Sequence, residues 1–264
     1  MPREPHVTKR DIKRGLRALG LRAGAIVGVH SSLSSFGHVE GGAETVVDAL
    51  LETVGKRGGV VMPTYSTNRE KVAVTPEDQA LGLAAKSRIL PFDPQTTPCW
   101  TGAIPEAFRR RPGVLRGSHR THSLAAAGPH AGRLIEGWRA LLDLDGHILL
   151  LGVTLAYCSA MHLAEEGLEL PEYIAARLRL PERLQKQYPS GQWVLAFGPY
   201  PDFLLMEGPC QQRGIMRLTT IGNAVVRLVP LRALVDLYAE HLRTFPEAFY
   251  HGCVSPGAPA PTGR

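Results

Sequence analysis

The chain has 264 residues, 44% hydrophobic and 20% charged, an ordinary globular composition that argues against disorder and is ample for a real core. No apolar run approaches the ~20 residues that span a bilayer, and the polar start Met1-Pro2-Arg3-Glu4-Pro5-His6 lacks a signal-peptide apolar region. Four scattered cysteines (Cys99, Cys158, Cys210, Cys253) with no CxxC pair predict reduced thiols and a cytoplasmic location, while the net charge of +6 invites an anionic partner.

Taken in chain order, Thr8 predicts an N-cap with Asp11 at the third position of a helix running through Leu16 and Leu19 to Gly20. Ala25 to His30 is a short apolar strand. Gly41-Gly42 opens a helix from Ala43 to Val54, with Val46, Val47, Leu50, Leu51 and Val54 on one face and Gly55 as its stop. Gly59 to Pro63 is the next strand. The stretch from Tyr65 to Trp100 is long, polar and broken by prolines, and predicts a lid or an insertion with some helix. Thr101 starts a helix, Ser123 to Gly128 is a strand, and Pro129 begins another helix. Ile148 to Val153 reads as a buried strand, followed after a short break by the first turns of a helix from Cys158 to Glu166. Beyond this the alternation stops. Gln192 to Phe197, and Thr219 to Val229 broken at Gly222-Asn223, predict antiparallel strands. Leu231 to Leu242 is an amphipathic helix, and Ser255 to Arg264 is a Pro/Gly-rich, disordered tail. With no internal repeat and no clear linker, the expectation is a single domain over residues 1–254. Its predicted class is α/β, a three-layer fold with helices on both faces of the sheet and antiparallel strands in the C-terminal half.

The candidate sites follow strands. His162 lies just beyond the strand at Ile148, where α/β sheets place their sites, and Glu165 shares its helix face three positions on. That is the pattern of an oriented general base. The loop His30-Ser31-Ser32-Leu33 to Gly42 offers hydroxyls and free amides at a helix start, suited to a phosphate or an amide-rich ligand. No P-loop and no well-placed GxGxxG is present. Arg116, Arg120, His119 and His122, with Arg109-Arg110-Arg111, form a basic cluster that suits an anionic ligand or nucleic acid. Aromatics are only 6% of the chain and do not interleave with the basic residues, so no nucleic-acid partner is predicted. His119 and His122 lack a carboxylate or thiolate at ligand spacing, and no metal is predicted. HExxH and GxSxG are both absent.

Several segments in order resemble the aminoglycoside 3-N-acetyltransferases, the antibiotic N-acetyltransferase family. His30-Ser31-Ser32-Leu33 with Gly41-Gly42-Ala43-Glu44-Thr45 resembles HSSL…GGAxT. Met62-Pro63-Thr64-Tyr65-Ser66 resembles MPT(F/Y)S. Phe92-Asp93-Pro94 with Glu106-Ala107-Phe108-Arg109 is similar to FDP…EAFR. His119 to Pro129 resembles HPTHSVAAxGP, and the strand leading to His162-Leu163-Ala164-Glu165 resembles that leading to NT(S/T)LHLAE. The likeness covers roughly residues 8 to 245. Two departures stand out: Arg120 replaces the usual Pro, and Cys158-Ser159-Ala160-Met161 replaces Asn-Thr-Thr/Ser-Leu.

The resemblance implies the antibiotic N-acetyltransferase fold, not the common GNAT fold. It implies acetyl transfer from acetyl-CoA to the 3-amino group of a 2-deoxystreptamine aminoglycoside, and thus antibiotic resistance. His162 is then the base, with Glu165 as its partner or with an acid of the later segment in that role. His30, Ser31, Ser32, Leu33, Arg116, His122 and Ser123 are expected at CoA. Tyr65, Asp93 and Glu207 are expected at the acceptor, which a locally acidic pocket would attract. The chain is expected to be a monomer or homodimer. Two other readings remain: a same-fold acyltransferase acting on a biosynthetic amine, and a basic nucleic-acid-binding protein.

Overall fold

The computed structural model describes residues 6–251. The tail from Ser255, and Cys253, lie outside the described residues. Helix α1 (Lys9–Leu19) starts in a capping box in which Thr8 and Asp11 satisfy each other's backbone amides, and it ends at Gly20 in the left-handed region. Helix α2 (Gly42–Val54) buries the apolar stripe read from its spacing and stops at Gly55.

The central sheet has seven strands: β1 (Ile26–Ser31), β2 (Gly59–Pro63), β3 (Leu115–Arg116), β4 (Leu124–Ala127), β5 (His147–Leu151), β6 (Arg217–Ile221) and β7 (Ala224–Pro230). Their order is β6-β7-β5-β1-β2-β4-β3. Only β5, β1 and β2 are parallel neighbours, with Val29 opposite Leu149 and Val27 opposite Val60. Strand β4 runs antiparallel to β2, and the β6–β7 hairpin is antiparallel to β5. The expected hairpin, turning at Gly222-Asn223, therefore extends the main sheet.

Side chains alternate across this sheet, and each face has its own core. Val27, Val29, Val60, Met62, Leu149 and Leu151 pack beneath α1, α2 and Ile104 and Phe108 of α3 (Ala103–Arg109). Val61, Ile148, Leu150 and Ala126 face Leu141 of α4 (Trp138–Asp143), the segment around Met161, and α5 (Leu231–Thr244). The result is the three-layer α/β arrangement read from the chain. No helix among the described residues is long and apolar enough to cross a membrane.

The stretch after Tyr65 contains some helix, as expected, but most of its regular structure is strand. It contributes strands Arg69–Val72 and Leu83–Ile89, joined by the short helix Pro76–Ala80. Trp193–Phe197 completes this second, three-stranded antiparallel sheet. A small core of Leu83, Leu184 and Tyr188 lies beneath it. There Lys86 Nζ reaches Asp78 Oδ2 at 2.7 Å and the Tyr188 hydroxyl at 2.6 Å, while that hydroxyl donates to Asp78 at 2.7 Å. The hydrogen bond from Lys86 is the main reason that the Asp78 carboxyl is held down at about 2.

Candidate active site

His162 lies on a six-residue 3-10 turn, Ser159–Ala164, and not on the α-helix expected there. The tighter winding matters, because residues three apart eclipse one another at three residues per turn. Ser159, His162 and Glu165 therefore form one stripe. His162 Nδ1 stands 3.1 Å from Glu165 Oε2, and the Tyr238 hydroxyl donates to Glu165 Oε1 at 3.4 Å. The Phe203 ring meets the imidazole edge-on at 4.9 Å. His162 Nε2 has no protein partner among the described residues, and the side chain is 53% exposed. One nitrogen is oriented by a carboxylate and the other is open to solvent.

Next to this stripe lies a cavity of about 970 Å³, floored by the ends of β1, β2 and β5. His30, Ser31, Ser32 and Leu33 line it, with Tyr65, Trp100, Ala103 at the start of α3, and Ser159. Gly152 permits this shape. A Cβ there would stand 2.3 Å from Ser35 Cβ, and its φ of +69° is unfavourable for other residues. The Ser35 hydroxyl donates to the Gly152 carbonyl at 2.8 Å, seating the serine loop against β5. Tyr65 bridges cavity and base. Its hydroxyl donates to Ser159 Oγ at 2.7 Å, and its ring packs against that of His122 at 4.8 Å.

His30 is buried, stacks on Trp138 at 5.4 Å, and has a sealed Nε2 without a hydrogen-bond partner; Ser31 Oγ is likewise unpaired. Burial pushes the His30 pKa down to about 4, so the ring is neutral near pH 7. His122 is also pushed down, by desolvation and by the charges of Arg69, His119 and His162.

A family model described as aminoglycoside 3-N-acetyltransferase matches residues 29–243. The chain belongs to that family. It is an acyltransferase, similar to aminoglycoside N(3)-acetyltransferase III of Salmonella sp, with 33% identity over 67% of this chain and 67% of the relative. It is 32% identical to the SPbeta prophage-derived aminoglycoside N(3')-acetyltransferase-like protein of Bacillus subtilis (strain 168), over 87% and 90% of the two chains. Among solved structures, AAC-IIIb in a binary complex with CoASH superposes with a TM-score of 0.70 at 25% identity, over 97% of this chain and 100% of that one.

Four expected site residues in this aminoglycoside 3-N-acetyltransferase family member lie elsewhere. Arg116 is not free for a phosphate. Its guanidinium donates to Ser123 Oγ at 3.0 Å and to the carbonyls of Pro94, Thr97 and Thr64, and it lies 5.1 Å over the Phe92 ring. Ser123 is fully buried and donates to the Thr64 carbonyl at 2.8 Å. Asp93 caps its own turn, accepting from the amides of Gln95 at 2.7 Å and Thr96 at 3.0 Å. Glu207 pairs with Arg227 (Oε1 to Nε 3.0 Å) and accepts from the Leu155 amide at 3.1 Å. None of these four lines the cavity. His122 borders Tyr65 instead of the cavity. The basic run is also largely neutralised: Arg109 and Arg110 pair with Glu106, and Arg111 with Glu44 and Asp48. The sequence reading missed Ser159, Phe203 and Tyr238. For Ser159 the signal was present, since it is the third member of a stripe spaced by three.

Proposed function

We propose that this chain transfers acetyl from acetyl-CoA to an amine of an aminoglycoside-class acceptor, with His162 as the general base. The observation that carries this reading is the imidazole fixed by Glu165, one turn along from the cavity-lining Ser159, with Nε2 unpartnered. A protonated amine cannot attack a thioester. The acceptor therefore reacts as its free amine, and His162 takes the proton that this nitrogen sheds as it attacks the thioester carbonyl carbon. Nδ1–H donates to Glu165, whose charge stabilises the imidazolium, and Tyr238 holds the carboxylate in place. Collapse of the tetrahedral oxyanion forms the amide, breaks the C–S bond, and returns the proton to the leaving CoA thiolate.

The cavity suits the acyl donor. Its walls are largely apolar, and the exposed hydroxyls of Ser32 and Ser34 on its rim match the amides of a pantetheine arm. Gly42, the first residue of the 13-residue helix α2, also lines it, which favours negative charge nearby. The test is thiol release from acetyl-CoA with a panel that includes gentamicin and kanamycin. Acceptor-dependent release is expected. A protein that binds acetyl-CoA but releases no thiol with any amine would rule the reading out.

A further inference from the structure

Acetyl transfer passes through a tetrahedral oxyanion, and a hydrogen-bond donor aimed at that oxygen is the largest aid a site can give it. The amides of Ala160 and Met161, just before the base, are directed at the buried Cys158 sulfur, and that of Met161 also bonds the Cys158 carbonyl at 3.0 Å. Ser159 differs. It lines the cavity and lies one turn before His162 on the same face of the 3-10 segment. Its oxygen accepts from the Tyr65 hydroxyl at 2.7 Å, and its own proton has no acceptor among the described residues.

The direction of that bond is fixed from behind. The Trp138 indole, which can only donate, also hydrogen-bonds the Tyr65 side chain. The Tyr65 oxygen therefore accepts from Trp138, and its own proton goes to Ser159. Burial pushes the Tyr65 pKa up, so the phenol stays protonated. Ser159 is left with its O–H turned away from Tyr65 and polarised by the bond that it accepts. At about 2.0 Å of rise per residue, Ser159 and His162 stand about 6 Å apart along the turn. That spacing spans one tetrahedral centre, with the attacking nitrogen at His162 Nε2 and the oxyanion at Ser159 Oγ, each within hydrogen-bond reach. Ser159 stands where the family pattern has Thr, and the exchange retains the hydroxyl.

We infer that Ser159 is a catalytic residue whose hydroxyl donates to the thioester carbonyl oxygen as it becomes the oxyanion, with Tyr65 as the positioning residue behind it. The inference rests on the acetyl-transfer reading above. As the acceptor nitrogen bonds the carbonyl carbon, the π pair of the C=O moves onto oxygen, and the Ser159 O–H meets that charge without giving up its proton. Collapse returns the pair to form the amide carbonyl and expels the CoA thiolate. Ser159 forms no covalent bond at any stage.

The test measures thiol release with acetyl-CoA and with acetyldithio-CoA, whose thiocarbonyl sulfur is a weak hydrogen-bond acceptor, using the best acceptor of the panel above. Ser159→Ala is expected to lower kcat with acetyl-CoA by about 100-fold, with both KM values within about threefold of wild type. With acetyldithio-CoA the same substitution is expected to lower kcat by less than about tenfold. Ser159→Thr is expected to restore most of the rate. Tyr65→Phe is expected to lower kcat by about three- to tenfold, again less with the dithio donor, and it reads the same hydroxyl where Ser159→Ala does not fold. A kcat for folded Ser159→Ala within about threefold of wild type, a loss confined to a KM, or an equal loss with the two donors would overturn the inference while leaving acetyl transfer standing. Exchange of labelled CoA into acetyl-CoA without an acceptor, abolished in Ser159→Ala, would also overturn it, by making Ser159 an acetyl-carrying nucleophile. Silence with every amine in a protein that binds acetyl-CoA would instead defeat the acetyl-transfer reading itself.

Discussion

At the scale of single residues, a nitrogen's availability separates function from support. His162 has one oriented and one open nitrogen, whereas Arg116 has its donors directed at protein oxygens. His162→Ala is expected to lower kcat by at least about 100-fold with acetyl-CoA affinity retained, checked by single-turnover kinetics and calorimetric titration. Glu165→Gln keeps a hydrogen bond to Nδ1 but loses the charge that stabilises the imidazolium. Its loss in kcat should be smaller, yet larger than that of Tyr238→Phe. An Arg116→Ala variant should behave differently from the phosphate ligand expected of its sequence context. It strands the Pro94 and Thr97 carbonyls and leaves the Ser123 hydroxyl and the Thr64 carbonyl with only each other, so a drop of about 2 kcal/mol in urea stability is expected, with no selective rise in the KM for acetyl-CoA.

At the scale of elements, Glu207 shows how a distant pair can set a catalytic turn. It fastens the Leu155 amide to Arg227 of β7, and Leu155 opens the turn that leads into the His162 segment. Both side chains are mostly buried, at 15% and 13% exposure, so Glu207→Ala leaves an enclosed cation unpaired. A loss of about 3 kcal/mol is expected. Turnover should fall more than acetyl-CoA affinity, because the base moves while the cavity floor remains. Glu207→Gln, which can still accept from Leu155, should recover part of both. Legibility divided along similar lines. Caps and periodic stripes are local, so Thr8 with Asp11, the α2 face, and the Gly222-Asn223 turn were all readable from the chain. The strand Leu83–Ile89 was not, because its partner Trp193–Phe197 lies more than a hundred residues later and because Lys86, a charged residue, is one of its buried positions while Ala84 and Ala85 are exposed. The site divided in the same way. His162 and Glu165 are neighbours in sequence. The engagement of Asp93, Arg116, Ser123 and Glu207 depends on contacts from segments that spacing alone does not bring together.

At the scale of the molecule, stability should fall in two stages as pH drops, and the groups responsible lie in different regions. Asp78 in the second sheet and Glu106 on α3 are both held at about 2. For Glu106, burial alone would raise the value, but Arg109 and the Cys99 amide outweigh it. Carboxyls depressed in the fold contribute stability above their unfolded values near 4, and that contribution disappears as pH falls from about 4.5 toward 2. The earlier stage belongs to His30. Its unfolded value is near 6.5 and its folded value about 4, so between these limits the unfolded chain binds the extra proton. Stability is complete above about pH 6.5 and declines through the window to pH 4, by up to about 3 kcal/mol. Half-buried His147, also lowered by desolvation, adds in the same direction. The wild-type melting temperature should therefore begin to fall near pH 6.5, well before the carboxyls respond. A His30→Gln variant should be flatter between pH 6.5 and 4 and should rejoin the wild-type slope below about pH 4. If the two curves run parallel through the upper window, His30 is not the group that titrates. Because His30 lines the cavity, a saturating ligand that lowers its folded value further should carry the same decline to lower pH without steepening it. That shift, measured as melting temperature against pH with and without acetyl-CoA, links the cavity to the stability of the whole chain.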